Sequence, residues 1–270
     1  MGTSTLSKIL VPVDASKNST VALKAAQSIA KAYQASLYVH HVTESSSLSE
    51  EVKSNVASIL QGTSHTYSET KGSVYKEIII KSLDLQADLI VMGTHGATGF
   101  QEFWLGSNAN KVVSSAKCPV LTLRDIARST DFKRIVLPMD TSFESRQKVP
   151  MAINLAEKLG ASIHVIGVST GKDKEAEHVV KNYTRQACDS IQDHRLAHSL
   201  EIRLGGNITN TTIAYAEEIK ADLIVIMTEQ EPQIGSFFLG KFAQQMVNNS
   251  PVPVLSIPTR DDLMITDARL

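Results

Sequence analysis

Short apolar runs alternate with longer stretches of helical periodicity along the first half of the chain. The apolar runs are rich in Val, Ile and Leu and cover residues 8–13, 36–42, 64–70, 88–92 and 119–123. Runs of this kind are typical of strands that are buried on both faces of a parallel sheet. The stretches between them predict helices over residues 18–33, 48–60, 73–85 and 106–116. The predicted order βαβαβαβαβ is typical of an α/β fold with a doubly wound parallel sheet.

The second half of the chain repeats the pattern of the first. Residues 9–16 (ILVPVDAS) reappear as residues 135–142 (IVLPMDTS), at an offset of 126 residues. Residues 87–91 (ADLIV) recur letter for letter as residues 221–225, at an offset of 134 residues. Matched blocks in the same order indicate a duplicated domain.

The repeat divides the chain into two domains. The polar segment 124–133 connects them, and we predict a first copy over residues 1–127 and a second copy over residues 128–270. The change of offset means that the second copy has eight additional residues, which fall in the charged helical region 171–196. The sequence by itself indicates only that the edge strand of each copy needs a partner.

Composition and charge exclude several classes of function. The chain has 27 Lys and Arg against 28 Asp and Glu, and this balance argues against a broad basic face for nucleic acid. Its longest apolar runs are about five residues, whereas a membrane-spanning helix needs about 20. The two cysteines have no metal-ligand spacing, and the first residues lack the pattern of a signal peptide. We therefore expect a cytoplasmic protein with neither a nucleic-acid nor a membrane partner.

The candidate chemistry of the first copy lies at the ends of its strands. Asp14 follows the first strand, and a glycine-rich segment that includes Gly93 and Gly96 follows the fourth. Gly106 and Ser107 then open a helix. Glycines let backbone N–H groups come close to an anion, and a helix N-terminus adds unpaired donors. Because ligands of doubly wound sheets bind beyond the carboxyl ends of the strands, this pattern predicts a phosphate site there.

The glycine spacing distinguishes this segment from common nucleotide motifs. Gly93-x2-Gly96-x9-Gly106-Ser107 is neither the Walker motif nor the G-x-G-x-x-G fingerprint. Together with Pro12-Val13-Asp14 and the closing strand that begins Cys118-Pro119, it resembles the universal stress protein family, and the spacing is similar to that of its ATP-binding branch. The resemblance covers nearly the whole chain as two tandem copies. It implies two Rossmann-like, adenine-nucleotide α-hydrolase-like domains, each with a five-stranded parallel sheet. It also implies that the two copies pack about a pseudo-twofold axis through their last strands, as a pseudo-dimer within one chain, and that two chains can form a homodimer.

The resemblance also implies a ligand and the residues that would hold it. ATP, with or without Mg²⁺, would lie across the carboxyl edge of the first sheet, with the strand ends beside the adenosine and the glycine segment around the phosphates. Val42 would meet the adenine through its backbone. The nucleotide-binding residues expected on this basis are Pro12, Val13, Asp14, Val42, Met92, Gly93, Gly96, Gly106, Ser107 and Asn108.

Simpler roles remain open for several of these residues. Asp14 could cap the helix that follows, with Ser16 as an alternative cap. Gly93 and Gly96 could simply turn the chain, and His95 could be either a phosphate partner or a solvated loop residue. We predict neither a catalytic residue nor a metal ligand.

The second copy departs from the glycine pattern. Met227 aligns with Gly93 and Gln230 with Gly96, whereas Asp140 and Gly240 match Asp14 and Gly106, and Lys241 aligns with Ser107. Side chains at the two glycine positions would fill the space through which a phosphate reaches backbone donors. The second copy is therefore not expected to bind ATP in the manner of the family.

Three functions are compatible with the sequence. The first is an ATP-binding stress-response or regulatory protein with one site per chain, in which hydrolysis is slow or absent and nucleotide occupancy acts as a switch. The second is a nucleotide-free scaffold. The third is a slow ATPase or nucleotidyl-transfer enzyme, which would be expected to have a Ser-Gly-Gly loop where residues 13–16 read VDAS.

Overall fold

The computed structural model describes residues 6–43, 49–94, 106–125, 127, 129–228, 230–233 and 236–259, and for residues 230–233 and 236–238 it describes the backbone alone. The elements of the first copy are β1 (Lys8–Val13), α1 (Lys17–Tyr33), β2 (Ser36–Thr43), α2 (Ser49–Ile59), β3 (His65–Lys71), α3 (Val74–Leu85), β4 (Leu89–Gly93), α4 (Ser107–Ser115) and β5 (Val120–Leu123). Those of the second copy are β6 (Arg134–Met139), α5 (Val149–Leu159), β7 (Ser162–Ser169), α6 (Lys174–Asp193), β8 (His198–Leu204), α7 (Ile208–Glu218), β9 (Leu223–Thr228), β10 (Gln230–Gln233), β11 (Ser236–Leu239), α8 (Lys241–Asn249) and β12 (Val254–Pro258).

The main strands form one continuous ten-stranded sheet in the order β3-β2-β1-β4-β5-β12-β9-β6-β7-β8. Within each copy, neighbouring strands are parallel. The copies meet where β5 and β12 pair in antiparallel fashion, with Leu121 opposite Leu255 at the centre. The predicted α/β fold and the predicted junction of the last strands are both confirmed.

Helices cover both faces of this sheet. Buried side chains of α1, α2, α5 and α6 belong to one hydrophobic cluster, and those of α3, α4, α7 and α8 to another. Each cluster contains residues of both copies, so each copy completes the core of the other. No helix in the described ranges is both long and apolar enough to cross a membrane.

The segment that connects the copies contributes to the hydrophobic core, although its sequence is mostly polar. Phe132 lies within the segment 124–133, yet its ring is 1% exposed and belongs to the core cluster that both copies share. An isolated aromatic residue in a mostly polar stretch is a weak signal, and the burial of Phe132 depends on the copies being packed together.

Two differences between the copies bear on the site. The eight additional residues lengthen α6, which has 20 residues where α2 has 11. The first turns of α1 have no helical counterpart, because the second copy has a 3₁₀ turn at Glu144–Arg146 and its helix α5 begins only at Val149.

Candidate functional site

The predicted site residues of the first copy gather at one edge of the sheet. β1 lies between β2 and β4, and the three strands are parallel, so that their carboxyl ends are neighbours. Pro12 and Val13 end β1, Val42 lies near the end of β2, and Met92 and Gly93 end β4. The strand order reverses at β1, which is where doubly wound sheets bind ligands.

Asp14 has a local structural role. Its Oδ1 accepts hydrogen bonds from the Ser16 N–H at 2.9 Å and from the Ser19 hydroxyl at 2.6 Å. Ser16 is the N-cap of α1, and its hydroxyl accepts from the Ser19 N–H at 3.2 Å. Of the two capping alternatives, the structure therefore has Ser16 as the cap, while Asp14 holds the turn before the helix. Contact between Asp14 and a ligand stays a prediction.

Gly93 is required by the close approach of α1. A Cβ at this position would lie 2.6 Å from the Cβ of Asn18 and 2.9 Å from its carbonyl carbon. The side chain of Asn18 in turn accepts a hydrogen bond from the Asp125 N–H at 2.7 Å. This glycine therefore does more than turn the chain, because it makes room for the first turn of a helix.

The start of α4 offers unpaired donors. Gly106 is its N-cap in an extended conformation (φ −54°, ψ 140°), and no side chain caps the helix. In the described part of the chain, no group accepts from the N–H groups of Ser107, Asn108 or Ala109. The N–H of Gly106, in contrast, donates to the Thr94 carbonyl at 2.8 Å and so is not available to a ligand. His95 and Gly96 lie outside the described residues.

A small cavity marks the equivalent place in the second copy. Five of its lining residues are counterparts of predicted nucleotide-binding residues of the first copy. They are Pro138, Asp140, Val168, Met227 and Phe242, which align in this order with Pro12, Asp14, Val42, Gly93 and Asn108. These positions come from four different elements and from the turn after β6, and they converge on one space. That space is about 10 Å³, enough for about one water molecule. Met227 and Phe242, which line this space, are bulkier than their counterparts Gly93 and Asn108.

Lys148 also lines this cavity, and sequence reasoning missed it. The residue is 3% exposed and stands where the first copy has Ala22. Its ammonium donates to the Ser145 carbonyl at 2.7 Å and to the Ser145 hydroxyl at 3.0 Å. Burial lowers the pKa of Lys148 to about 8, although the charge of Asp140 acts in the opposite direction. A lysine aligned with a core alanine was the available signal.

The helix start does not distinguish the copies. Gly240 is the N-cap of α8 with φ −51° and ψ 144°, and this helix has no side-chain cap either. Before this helix, β10 and β11 of the second copy form an antiparallel hairpin. Gln230 begins β10, and its side chain lies outside the described residues.

Other titratable groups have structural environments. Both ring nitrogens of His40 are hydrogen-bonded, to Ser68 and to Thr70, and burial lowers its pKa. Burial raises the pKa of Cys118 to about 12 and also raises that of Cys188, so both thiols remain protonated at neutral pH. Across the described ranges, no group of three His, Cys, Asp or Glu side chains could hold a metal ion.

Comparison with known proteins places these features in a family. The sequence profile described as the universal stress protein family matches residues 5–61, 48–124 and 131–258. The chain belongs to the universal stress protein family.

Similar proteins of this family include single-copy relatives and a full-length structure. A universal stress protein of Methanocaldococcus jannaschii is 33% identical, over 43% of this chain and 81% of its own length. Universal stress protein YxiE of Bacillus subtilis is 32% identical, over 43% of this chain and 98% of its own length. The crystal structure of a universal stress protein from Archaeoglobus fulgidus matches with a TM-score of 0.74 and 24% identity, over 96% of this chain and 99% of that one. The fold of that universal stress protein therefore extends over both copies.

Proposed function

We propose that the first copy binds ATP, or a closely related adenine nucleotide, at its carboxyl edge. Each chain has one such site, and its occupancy acts as a regulatory state in a stress response. Rapid turnover is not expected, because residues 93–108 contain no Lys or Arg to stabilise charge that develops during phosphoryl transfer.

The observation that supports this proposal most is the cavity of the second copy. The counterparts of five predicted residues line a single space there, although they are distributed along more than 100 residues of sequence. The first copy has smaller residues at two of those positions, Gly93 for Met227 and Asn108 for Phe242. The space beside Gly93 is filled by Asn18 of α1, so the additional room for a ligand at the first edge would come from Asn108 in place of Phe242.

The donors of the first copy suit a phosphate. The uncapped start of α4 presents N–H groups and the positive end of a helix dipole, which together favour an anion. Val13 and Val42 would provide the apolar surroundings of the nucleoside. Mg²⁺, if present, would be held mainly by the phosphates, since the described residues contain no carboxylate cluster that could bind it.

Substitutions at the matched N-cap glycines test the proposal. Gly106→Val places a branched side chain at the start of α4 and should abolish stabilisation by ATP in a thermal-shift titration. Gly240→Val makes the same change in the second copy and should leave the ATP response unchanged. Both glycines have extended backbone angles that valine can adopt, so that the comparison isolates the ligand.

The wild-type titration separates the alternatives. At a ligand concentration of about 100 times the Kd, binding stabilises the folded state by about 2.7 kcal/mol, which is readily measured. If millimolar ATP did not change the melting temperature, the nucleotide-free scaffold would be the function that remains. Equal losses from the two variants would show that the site is assigned to the wrong copy, and multiple-turnover release of product would indicate an enzyme.

A further inference from the structure

The peptide between Val13 and Asp14 is held from both sides. The Val13 carbonyl lies 2.8 Å from Nδ1 of His41, and the Asp14 N–H donates to the Ser19 hydroxyl at 2.9 Å. A carbonyl can only accept, so Nδ1 must carry the hydrogen. Neutral His41 is therefore the Nδ1–H tautomer, with Nε2 as an acceptor.

His41 acts where the strand ladder stops. The pairing of β1 with β2 ends with Val13 opposite His41, whereas β2 continues to Thr43 beside β3. The buried imidazole donates from the neighbouring strand to the carbonyl of Val13, the last residue of β1.

The second copy has only half of this arrangement. The Asp140 N–H still donates to the Ser145 hydroxyl, at 3.1 Å, but the residue that aligns with His41 is Gly167. A Cβ at Gly167 would lie 2.5 Å from Cγ1 of Val180, so α6 occupies the space that a side chain would need. The copy whose edge is filled therefore lacks the histidine.

We propose that His41 is a positioning residue of the nucleotide site, which fixes the Val13–Asp14 peptide so that the Val13 backbone and the Asp14 side chain face the nucleoside half of the ligand. This inference rests on the proposed function. His41 acts through the peptide and does not contact the phosphates, so it should affect ATP and adenosine by the same factor.

Two variants separate the hydrogen bond from the packing. His41→Met keeps a side chain of similar size without a donor, and we expect the Kd for ATP and for adenosine to rise roughly tenfold each, as for the loss of one well-placed hydrogen bond. His41→Asn has an amide N–H at the same distance from the main chain as Nδ1, so it can donate to the same carbonyl, and its Kd should stay within about threefold of the wild type. His164→Met, a half-buried histidine on β7 of the second copy, is the matched control and should change neither Kd.

Nuclear magnetic resonance tests the positioning without any ligand. The ¹⁵N shifts of His41 should indicate the Nδ1–H tautomer, and the Asp14 amide should exchange with solvent faster in His41→Met than in the wild type. An Nε2–H tautomer, or wild-type ATP affinity in His41→Met, would overturn the proposal. A loss confined to ATP, with adenosine unaffected, would also overturn it.

The outcomes for the two hypotheses can be told apart. If wild-type protein does not bind ATP, the proposed function fails, and the positioning role fails with it even where the tautomer is as expected. If the wild type binds ATP and His41→Asn binds it as weakly as His41→Met, the proposed function stands and the hydrogen bond is not what His41 contributes.

Discussion

Lys148 shows how one residue changes the physical character of a site. Its ammonium is buried beside Asp140, and burial disfavours the charged form, which lowers its pKa to about 8 from the ordinary value of 10.5. The folded pKa is thus below that of the unfolded chain, so that the unfolded chain binds more protons between these values. Stability attributable to Lys148 therefore rises with pH from about 8 to 10.5.

Replacing Lys148 by methionine tests this dependence. We expect the free energy of unfolding of the wild type, relative to Lys148→Met, to increase by up to about 3 kcal/mol between pH 8 and 10.5. The measurement is denaturant unfolding of both proteins at several pH values, which cancels the titration of Cys118 and other shared groups. Lys24→Met, at an exposed position of α1, is the control, and its free energy of unfolding should differ from that of the wild type by the same amount at every pH. If the difference in free energy of unfolding between the wild type and Lys148→Met were also independent of pH, this would contradict the lowered pKa of Lys148.

Residues of this kind also show what the sequence could not predict. Apolar runs identified β1 and β5 to within one residue, because a strand that is buried on both faces consists mainly of apolar residues. The glycine spacing identified Gly93 and Gly106, but the approach of Asn18 to Gly93 depends on how α1 packs over β4. Lys148 and His41 were missed for the same reason, since their importance comes from partners on other elements.

At the scale of elements, Gly93 and Pro150 explain why α1 and α5 begin at different places. The first turn of α1 lies against Gly93, where even a methyl group would clash with Asn18. The second copy has Met227 at that position, and there the chain forms a 3₁₀ turn before α5 begins at Val149. Pro150 lies in the first turn of α5, the part of a helix that tolerates proline. We infer that the side chain at the end of the fourth strand, together with Pro150 in the second copy, decides how early the first helix of each copy can start.

A single methyl group at Gly93 should therefore destabilise the first copy. We expect Gly93→Ala to lower the free energy of unfolding by about 1–3 kcal/mol, as for other overpacked sites, and to increase hydrogen exchange in the first turn of α1. Gly106→Ala, at an extended N-cap, is the control and should cost a few tenths of a kcal/mol to about 1 kcal/mol. Wild-type stability and exchange in Gly93→Ala would show that α1 is not held by this contact.

At the scale of the whole molecule, the two copies form one structural unit. The sheet is continuous through β5 and β12, and both core clusters contain residues of both copies. The buried hydroxyl of Tyr33 on α1 donates to the Asn154 side chain on α5 at 2.6 Å. We therefore expect one cooperative unfolding transition for the chain, although the domain boundary at 127/128, the cytoplasmic location and the homodimer stay predictions.

Phe132 is the residue whose truncation should separate the copies. Its ring lines a small apolar cavity together with Ile29 and Leu121 of the first copy and Leu155 and Leu255 of the second. Because the ring fills space between the copies, Phe132→Ala should cost about 3–5 kcal/mol.

Calorimetry distinguishes loss of coupling from loss of stability alone. In Phe132→Ala we expect the single transition to broaden or split, so that the calorimetric enthalpy exceeds the van't Hoff enthalpy. Leu83→Ala removes an exposed side chain from α3 and should leave both the midpoint and the cooperativity unchanged. A lower midpoint with full cooperativity in Phe132→Ala would mean that the continuous sheet couples the copies without this ring. In that case the antiparallel pairing of Leu121 with Leu255, and not the connecting segment, would be what makes two copies into one cooperative unit.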